Sequence, residues 1–254
     1  YKEILSSNTI DRTFSEEEMM SLKLKSYGEY NIVGQSKQPF DLPPKLDGSA
    51  KYGSDVFVPN MVYGIPVQNP VRYGAIPQSV DESDAKKIDG YVGAYVEKNG
   101  FTRINTGYVV ALGETVWAAM NAAKALKIKW DLGENKNISS EDIRDESVRL
   151  QKDPSAGFLW VLEGDIDDAM KNAATKHSAV YETSIAYHGC HEPMNCVAYE
   201  KDGIWHLHGG HQSFTFAVGN TAAALGVEQD KIVCHQYLAG TGFGRRTEPD
   251  NFVL

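Results

Sequence analysis

The sequence predicts an α+β protein built as two successive units, and three observations carry that prediction. Short Val- and Tyr-rich runs of strand length alternate with helical stretches. A polar, charged excursion over residues 131–151 separates one mixed block, residues 46–130, from a second that starts near Phe158. The 254 residues are 42% hydrophobic and 23% charged, which suits globular units of this size.

The elements follow in order. Residues 1–45 read as a tail and a linker. Within them Phe14-Ser-Glu-Glu-Glu-Met-Met-Ser-Leu22 forms a short helix, with Ser15 as N-cap and acidic residues in its first turn. Lys37-Gln-Pro-Phe-Asp-Leu-Pro-Pro44 reads as an extended connector, because its prolines remove donors and fix φ. Residues 61–67 read as a strand with Pro66 at an edge or bulge. A short helix is expected over 81–87, and strands over 91–97 and 108–112. Residues 114–126 form an Ala-rich helix with Val116, Met120 and Ala123 at helical spacing. A strand over 127–130 closes the block, and a surface helix follows Ser139-Ser140. In the second unit, residues 165–174 and 213–225 read as helices, the latter closed by Gly226. Residues 179–187, 195–199, 204–208 and 231–236 read as strands. There is no internal repeat.

Charge and termini restrict function. The net charge of −9, without a Lys/Arg run of five, argues against nucleic acid as a partner. The most apolar window, residues 108–126, is interrupted by Glu114, Asn121 and Lys124 and is too polar to span a bilayer. The chain opens on Tyr1 and stops at Leu254 without punctuation, which reads as a piece cut from something longer. Signals for a periplasmic or cytoplasmic location then lie outside it. Three cysteines, Cys190, Cys196 and Cys234, do not make a disulfide framework and read as inert thiols.

Four features can carry chemistry. Six of the seven histidines crowd between His188 and His235. With Cys190 and Glu192 they raise a side-chain metal site, although no CxxC or HExxH spacing is present. Gly240-Thr-Gly-Phe-Gly-Arg-Arg246 follows a strand; its glycines free the backbone to approach a ligand or to adopt positive φ. It is neither a Rossmann fingerprint nor a P-loop. His191-Glu-Pro-Met-Asn195 lies between two strands and reads equally as a turn. Gln212, after Gly209-Gly-His211, offers a neutral amide to a ligand oxygen where a strand gives way to a helix.

The order of these pieces, Tyr181…His191-Glu-Pro-Met-Asn195, Trp205…Gln212, Gly240-Thr-Gly-Phe-Gly-Arg-Arg246…Asp250, resembles the molybdopterin-binding subunit of the xanthine dehydrogenase and aldehyde oxidase family. The branch it is most similar to is the isoquinoline 1-oxidoreductase beta-subunit type. Leu46-Asp-Gly-Ser-Ala-Lys-Tyr-Gly53 with Pro59-Asn-Met-Val-Tyr63 resembles the start of that family's α/β hammerhead domain. Glu114-Thr-Val-Trp-Ala-Ala119 through Lys129-Trp-Asp131 resembles its end, and Gly164-Asp-Ile-Asp-Asp-Ala169 the link onward.

The resemblance implies a tail and linker over 1–45, a hammerhead domain over 46–150 and a partial molybdopterin-binding domain over 151–254. It implies part of a molybdenum hydroxylase that oxidises aldehydes or N-heterocycles with oxygen from water. The cofactor would be molybdenum–molybdopterin in its cytosine dinucleotide form, with no protein side chain on the metal. Iron–sulfur clusters would sit on a partner subunit, and the remaining segments of the large subunit would be further partners. Gln212 and Phe243 would act at the reacting centre. Gln212, Gly242, Phe243, Gly244 and Arg245 would bind the cofactor, and Arg245 and Arg246 would reach a phosphate or a partner. Glu192 would brace the cleft wall, the glutamate base lying outside this chain. Thr241 departs from the family's usual glycine, which a turn tolerates if φ there is negative. The piece alone would be inactive. Two other readings stand beside this one: a His/Cys metal-binding module, and a non-catalytic assembly scaffold.

Overall fold

The computed structural model describes residues 13–71, 73–98, 107–153 and 155–253; residues 1–12 of the expected tail lie outside them. The chain divides after Ala50. In the first unit Ser15 caps α1 (Glu16–Met20): its Oγ accepts the Glu18 N–H, and the Glu18 carboxylate accepts the Ser15 N–H. The connector expected over 37–44 is corrected by α2 (Leu42–Asp47). Pro43 and Pro44 occupy its first turn, where backbone N–H groups have no intrahelical acceptor and proline's fixed φ is already helical.

The second unit opens with an antiparallel sheet in the order β1-β4-β3, formed by β1 (Tyr63–Val67), β3 (Tyr91–Glu97) and β4 (Tyr108–Gly113). Central β4 buries Val109, Val110 and Ala111. Edge strand β1 carries Pro66, where a missing donor costs the ladder least. α3 (Val116–Ala125), capped by the Thr115 hydroxyl, packs on β1 and β4. Its inward face is not that of Val116 and Met120, which stay 47% and 41% exposed, but Ala118, Ala119 and Ala122. A Cβ on Gly113 would lie 2.5 Å from the Ala119 nitrogen, so helix and strand approach too closely for larger residues.

β2 (Ile76–Asp81) and β5 (Lys127–Asp131) form a second antiparallel pair. β2 escapes the sequence pattern because Pro77 and polar neighbours break its alternation. It runs on to Asp81, which leaves only a 3-10 turn, Ala85–Lys87, of the helix expected over 81–87. Ala85, Val109, Ala111, Ala122 and Leu126 form the core of this part. α4 (Ser140–Gln151) and α5 (Ile166–Asn172), capped by Ser139 and Asp165, lie where expected.

The strand expected over 179–187 is corrected: the segment joins no sheet, and Val180, Tyr181, Ile185 and Tyr187 are 83%, 89%, 76% and 88% exposed. Alternation favours an extended backbone, but a strand also needs a partner's donors and acceptors.

The third sheet has the order β6-β7-β8, with β6 (Val197–Lys201) antiparallel and β8 (Ile232–Gln236) parallel to β7 (Ile204–Gly209). α6 (Phe214–Leu225) connects the parallel pair and ends at Gly226, φ 66°. α7 (Asp250–Val253) brings Phe252 to a core of Leu207, Ala217, Ala222 and Ile232. Because β7 and β8 are parallel, both release their chains at one edge, which sets Gly210-His211-Gln212 beside the segment after β8. Among the described residues no helix is long and apolar enough to cross a membrane.

Candidate cofactor site

The site is assembled at that edge. Glu192 is its buried centre. Its Oε1 accepts the Ser54 N–H at 3.1 Å and the Asn195 side-chain amide at 3.0 Å. Its Oε2 accepts the Gly240 N–H at 2.8 Å and Arg246 Nη2 at 2.9 Å. Burial by itself would raise the Glu192 carboxyl. The Gly240 amide, the Asn195 side chain, the Ser54 amide and the Arg246 charge outweigh it, so the group stays below the usual carboxylate range. It is an ionised structural carboxylate, in line with the bracing role expected.

The loop 240–247 closes on this centre, and only one of its glycines takes the positive φ that glycine favours. Positive φ falls on Thr241 (72°), Phe243 (52°) and Gly244 (86°). The tolerance expected for Thr241 required a negative φ, so that expectation is corrected. Thr241 is held in its strained conformation by contacts on both sides: its Oγ1 accepts the His191 N–H at 3.0 Å and its carbonyl accepts Arg246 Nε at 2.8 Å. Gly240 and Gly242 are needed for space. A Cβ would lie 2.3 Å from Glu192 Cβ at Gly240, and 2.4 Å from Gln212 Oε1 at Gly242.

The expected site residues are brought together in part. The Gln212 N–H donates to the Arg246 carbonyl at 2.9 Å, and its Oε1 accepts the Gly244 N–H at 3.1 Å. The Gly244 amide is therefore committed to Gln212. The Gln212 NH2 and the Gly242 and Phe243 N–H groups have no acceptor among the described residues. Phe243 is 65% exposed, so its ring is not core packing.

Arg245 and Arg246 depart from a pair reaching outward. Arg245 forms a two-pronged pair with Asp250, Nη1 to Oδ1 at 2.8 Å and Nη2 to Oδ2. Arg246 is fully buried. Arg245 is turned to Asp250, and all three guanidinium nitrogens of Arg246 find acceptors inside the fold. Beside the loop, Tyr187, His188, Gly189, Cys190, Pro193, Met194 and Arg245 line an open, mostly apolar pocket of about 270 Å³.

Three further groupings bear on the alternatives. His211 is buried; its Nδ1 accepts the Ser213 N–H at 2.9 Å, so its Nε2 donates to the Glu248 carbonyl at 3.2 Å. Burial lowers its pKa, in keeping with this neutral tautomer. His206, His208 and His235 stack with Tyr199 on one face of the third sheet, and both His208 ring nitrogens are buried without a partner. His206 Nδ1 and His235 Nε2 share a hydrogen bond at 2.9 Å. Among the described residues no three His, Cys, Asp or Glu side chains are placed to hold a metal. The three cysteines are free, and burial pushes the Cys196 thiol up to about 12.

Neutral donors such as these fit an oxygen-rich anionic group, and not a cation seeking side-chain ligands. The molybdopterin cofactor-binding domain family matches residues 151–252, a span that contains all of these loop residues.

The whole chain is 35% identical to the membrane-bound aldehyde dehydrogenase [pyrroloquinoline-quinone] of Gluconacetobacter polyoxogenes, covering 33% of it. Over 92% of its length it is 29% identical to the isoquinoline 1-oxidoreductase subunit beta of Brevundimonas diminuta, covering 30% of that protein. The chain thus spans about a third of the length of these relatives. Quinoline 2-oxidoreductase from Pseudomonas putida 86 superimposes with a TM-score of 0.59 at 14% identity, over 86% of this chain and 32% of that one. Aldehyde oxidoreductase from Desulfovibrio gigas does so with a TM-score of 0.59 at 16% identity, over 84% of this chain and 28% of that one. At these identities the likeness establishes a shared fold of mixed α/β content.

Sequence reasoning missed the Glu192–Arg246 pair and the part played by Ser54. The two charges are 54 residues apart, and Ser54 contributes only a main-chain N–H. Neither leaves a local pattern.

Proposed function

We propose that the chain is part of the large subunit of a molybdenum hydroxylase, an oxidoreductase for aldehydes or N-heterocycles. The observation that carries this is the set of neutral donors at Gln212, Gly242 and Phe243, inside the stretch matched by the molybdopterin-binding family. The molybdenum–pterin group, when bound, supplies the two-electron redox chemistry with water as the oxygen source. This chain supplies hydrogen bonds and shape. The Gln212 NH2 donates to an oxygen of the group, while Gly244 fixes the orientation of the Gln212 carboxamide. The Gly242 and Phe243 amides donate alongside it. Donors fixed in this way would stabilise negative charge on the bound group. Phe243 presents its ring to the substrate side, and Arg245, held by Asp250, borders the pocket.

In the same reading residues 46–150 are a hammerhead domain, 151–254 a partial molybdopterin-binding domain and 1–45 a linker. The cofactor is the cytosine dinucleotide form, iron–sulfur clusters lie on a partner subunit, and the glutamate base belongs to further large-subunit sequence. The names of the relatives, aldehyde and isoquinoline oxidising enzymes among them, support the substrate class.

The test is metal and cofactor analysis of the native enzyme containing this chain, with an aldehyde and N-heterocycle oxidation assay. Molybdenum and a pterin with oxidation of either class is the expected result. Quinone without molybdenum, or zinc or iron bound by this chain's own side chains, would overturn the reading. Full molybdenum loading with no oxidation would favour the assembly scaffold.

A further inference from the structure

The geometry points to Glu192 and Arg246 as positioning residues, which hold Gln212 and the loop amides at the cofactor face without touching the cofactor. The inference rests on the molybdopterin reading above. Arg246 is fully buried and uses its whole fork. Nε donates to the Thr241 carbonyl at 2.8 Å and Nη1 to the Gly210 carbonyl at 3.2 Å. Nη2 donates to the Glu192 carbonyl at 2.8 Å and to Glu192 Oε2 at 2.9 Å. The Arg246 carbonyl in turn accepts the Gln212 N–H at 2.9 Å. Glu192 adds the Gly240 and Ser54 amides. One ion pair thereby fastens the turn at Ser54, the segment at Glu192, the exit of β7 and the loop after β8.

The loop needs such fastening. Thr241 and Phe243 are non-glycine residues at φ 72° and 52°. L residues leave that region unless their surroundings over-determine it. Arg246 Nε grips the carbonyl of the first, and Gly244, one residue after the second, is tied to Gln212. If the fork releases Thr241 and Gly210, the loop relaxes and carries the Gly242 and Phe243 amides and Gln212 with it. Most of these contacts are directional, so a positive charge alone does not replace them.

The decisive variant is Arg246→Lys in the whole enzyme, which keeps the charge opposite Glu192 and loses the fork. Its molybdenum content and fold should match wild type. Hydrogen exchange at the Gly244 and Arg245 amides should speed up by about tenfold or more as the loop loosens. The electron paramagnetic resonance signal of the molybdenum should change, and kcat should fall by about tenfold or more with KM within about twofold. A variant with wild-type exchange, spectrum and kcat would overturn the proposal and leave an ordinary salt bridge. If Arg246→Lys does not fold, Glu192→Gln combined with Arg246→Gln, which buries no unpaired charge, is read by the same measures. An enzyme without molybdenum would sink the functional reading alone. The exchange rates would still decide whether the pair positions the loop.

Discussion

Gly240 and Gly242 stand two residues apart in one loop, yet their replacement has different consequences. An alanine Cβ at Gly240 meets Glu192 Cβ at 2.3 Å, with the Glu192 backbone just behind it. Nothing there can move without disturbing the buried ion pair. Gly240→Ala should therefore lower stability by about 1–3 kcal/mol, measured by denaturant unfolding. At Gly242 the obstacle is the Gln212 carboxamide, the free end of a flexible side chain. Gly242→Ala should fold with near wild-type stability and lose turnover, because Gln212 must swing away. Gln212→Ala should lower kcat by about 100-fold, the loss typical of one preorganised donor, while stability changes little. Wild-type turnover in that variant would remove Gln212 from the site. None of this spacing is visible in Gly-Thr-Gly-Phe-Gly as a string. The string reads as conformational freedom, whereas strain falls on Thr241 and Phe243, and Gly240 and Gly242 serve close packing.

Elements whose signals are local were legible. The four helix caps at Ser15, Thr115, Ser139 and Asp165 are each made by a side-chain oxygen that accepts the backbone N–H three residues on. Thr115→Ala should cost about 1 kcal/mol, read as a lowered unfolding midpoint; no change would show that α3 is held by packing alone. Elements that depend on a distant partner were not legible. β2 exists because β5 offers it a ladder across about 50 residues of chain, despite Pro77. Residues 179–187 carry a strand-like pattern and have no ladder to join. The inward face of α3 likewise follows from Gly113 beneath it and not from its most apolar residues.

Across the whole second unit, acid should act in two steps. His208 and His211 have lowered pKa values, burial being the largest cause in each; for His208 the neighbouring charges of His235 and His206 add to it. A lowered imidazole folds best when neutral. Its stabilising contribution is complete above the ordinary value of about 6.5 and is lost as pH falls from there through the lowered folded value. Glu192 is lowered as well, so its contribution is complete above the ordinary carboxylate value and is lost only at more acidic pH. Unfolding of the enzyme followed from about pH 8 downward should show a first loss of stability below about 6.5 that His208→Phe diminishes. A flat profile through that region would contradict it. By itself the sequence determined the longer helices, most of the strands, the kind of loop after β8 and the candidate donors, because backbone propensity, capping and periodicity act within a few residues. Only the tertiary structure decided that Arg246 turns inward, that Gly244 serves Gln212 and that Glu192 joins four segments. Those outcomes depend on which chain ends the parallel pairing of β7 and β8 brings to one edge, and a buried charge must find its partner there, however far away that partner lies in sequence.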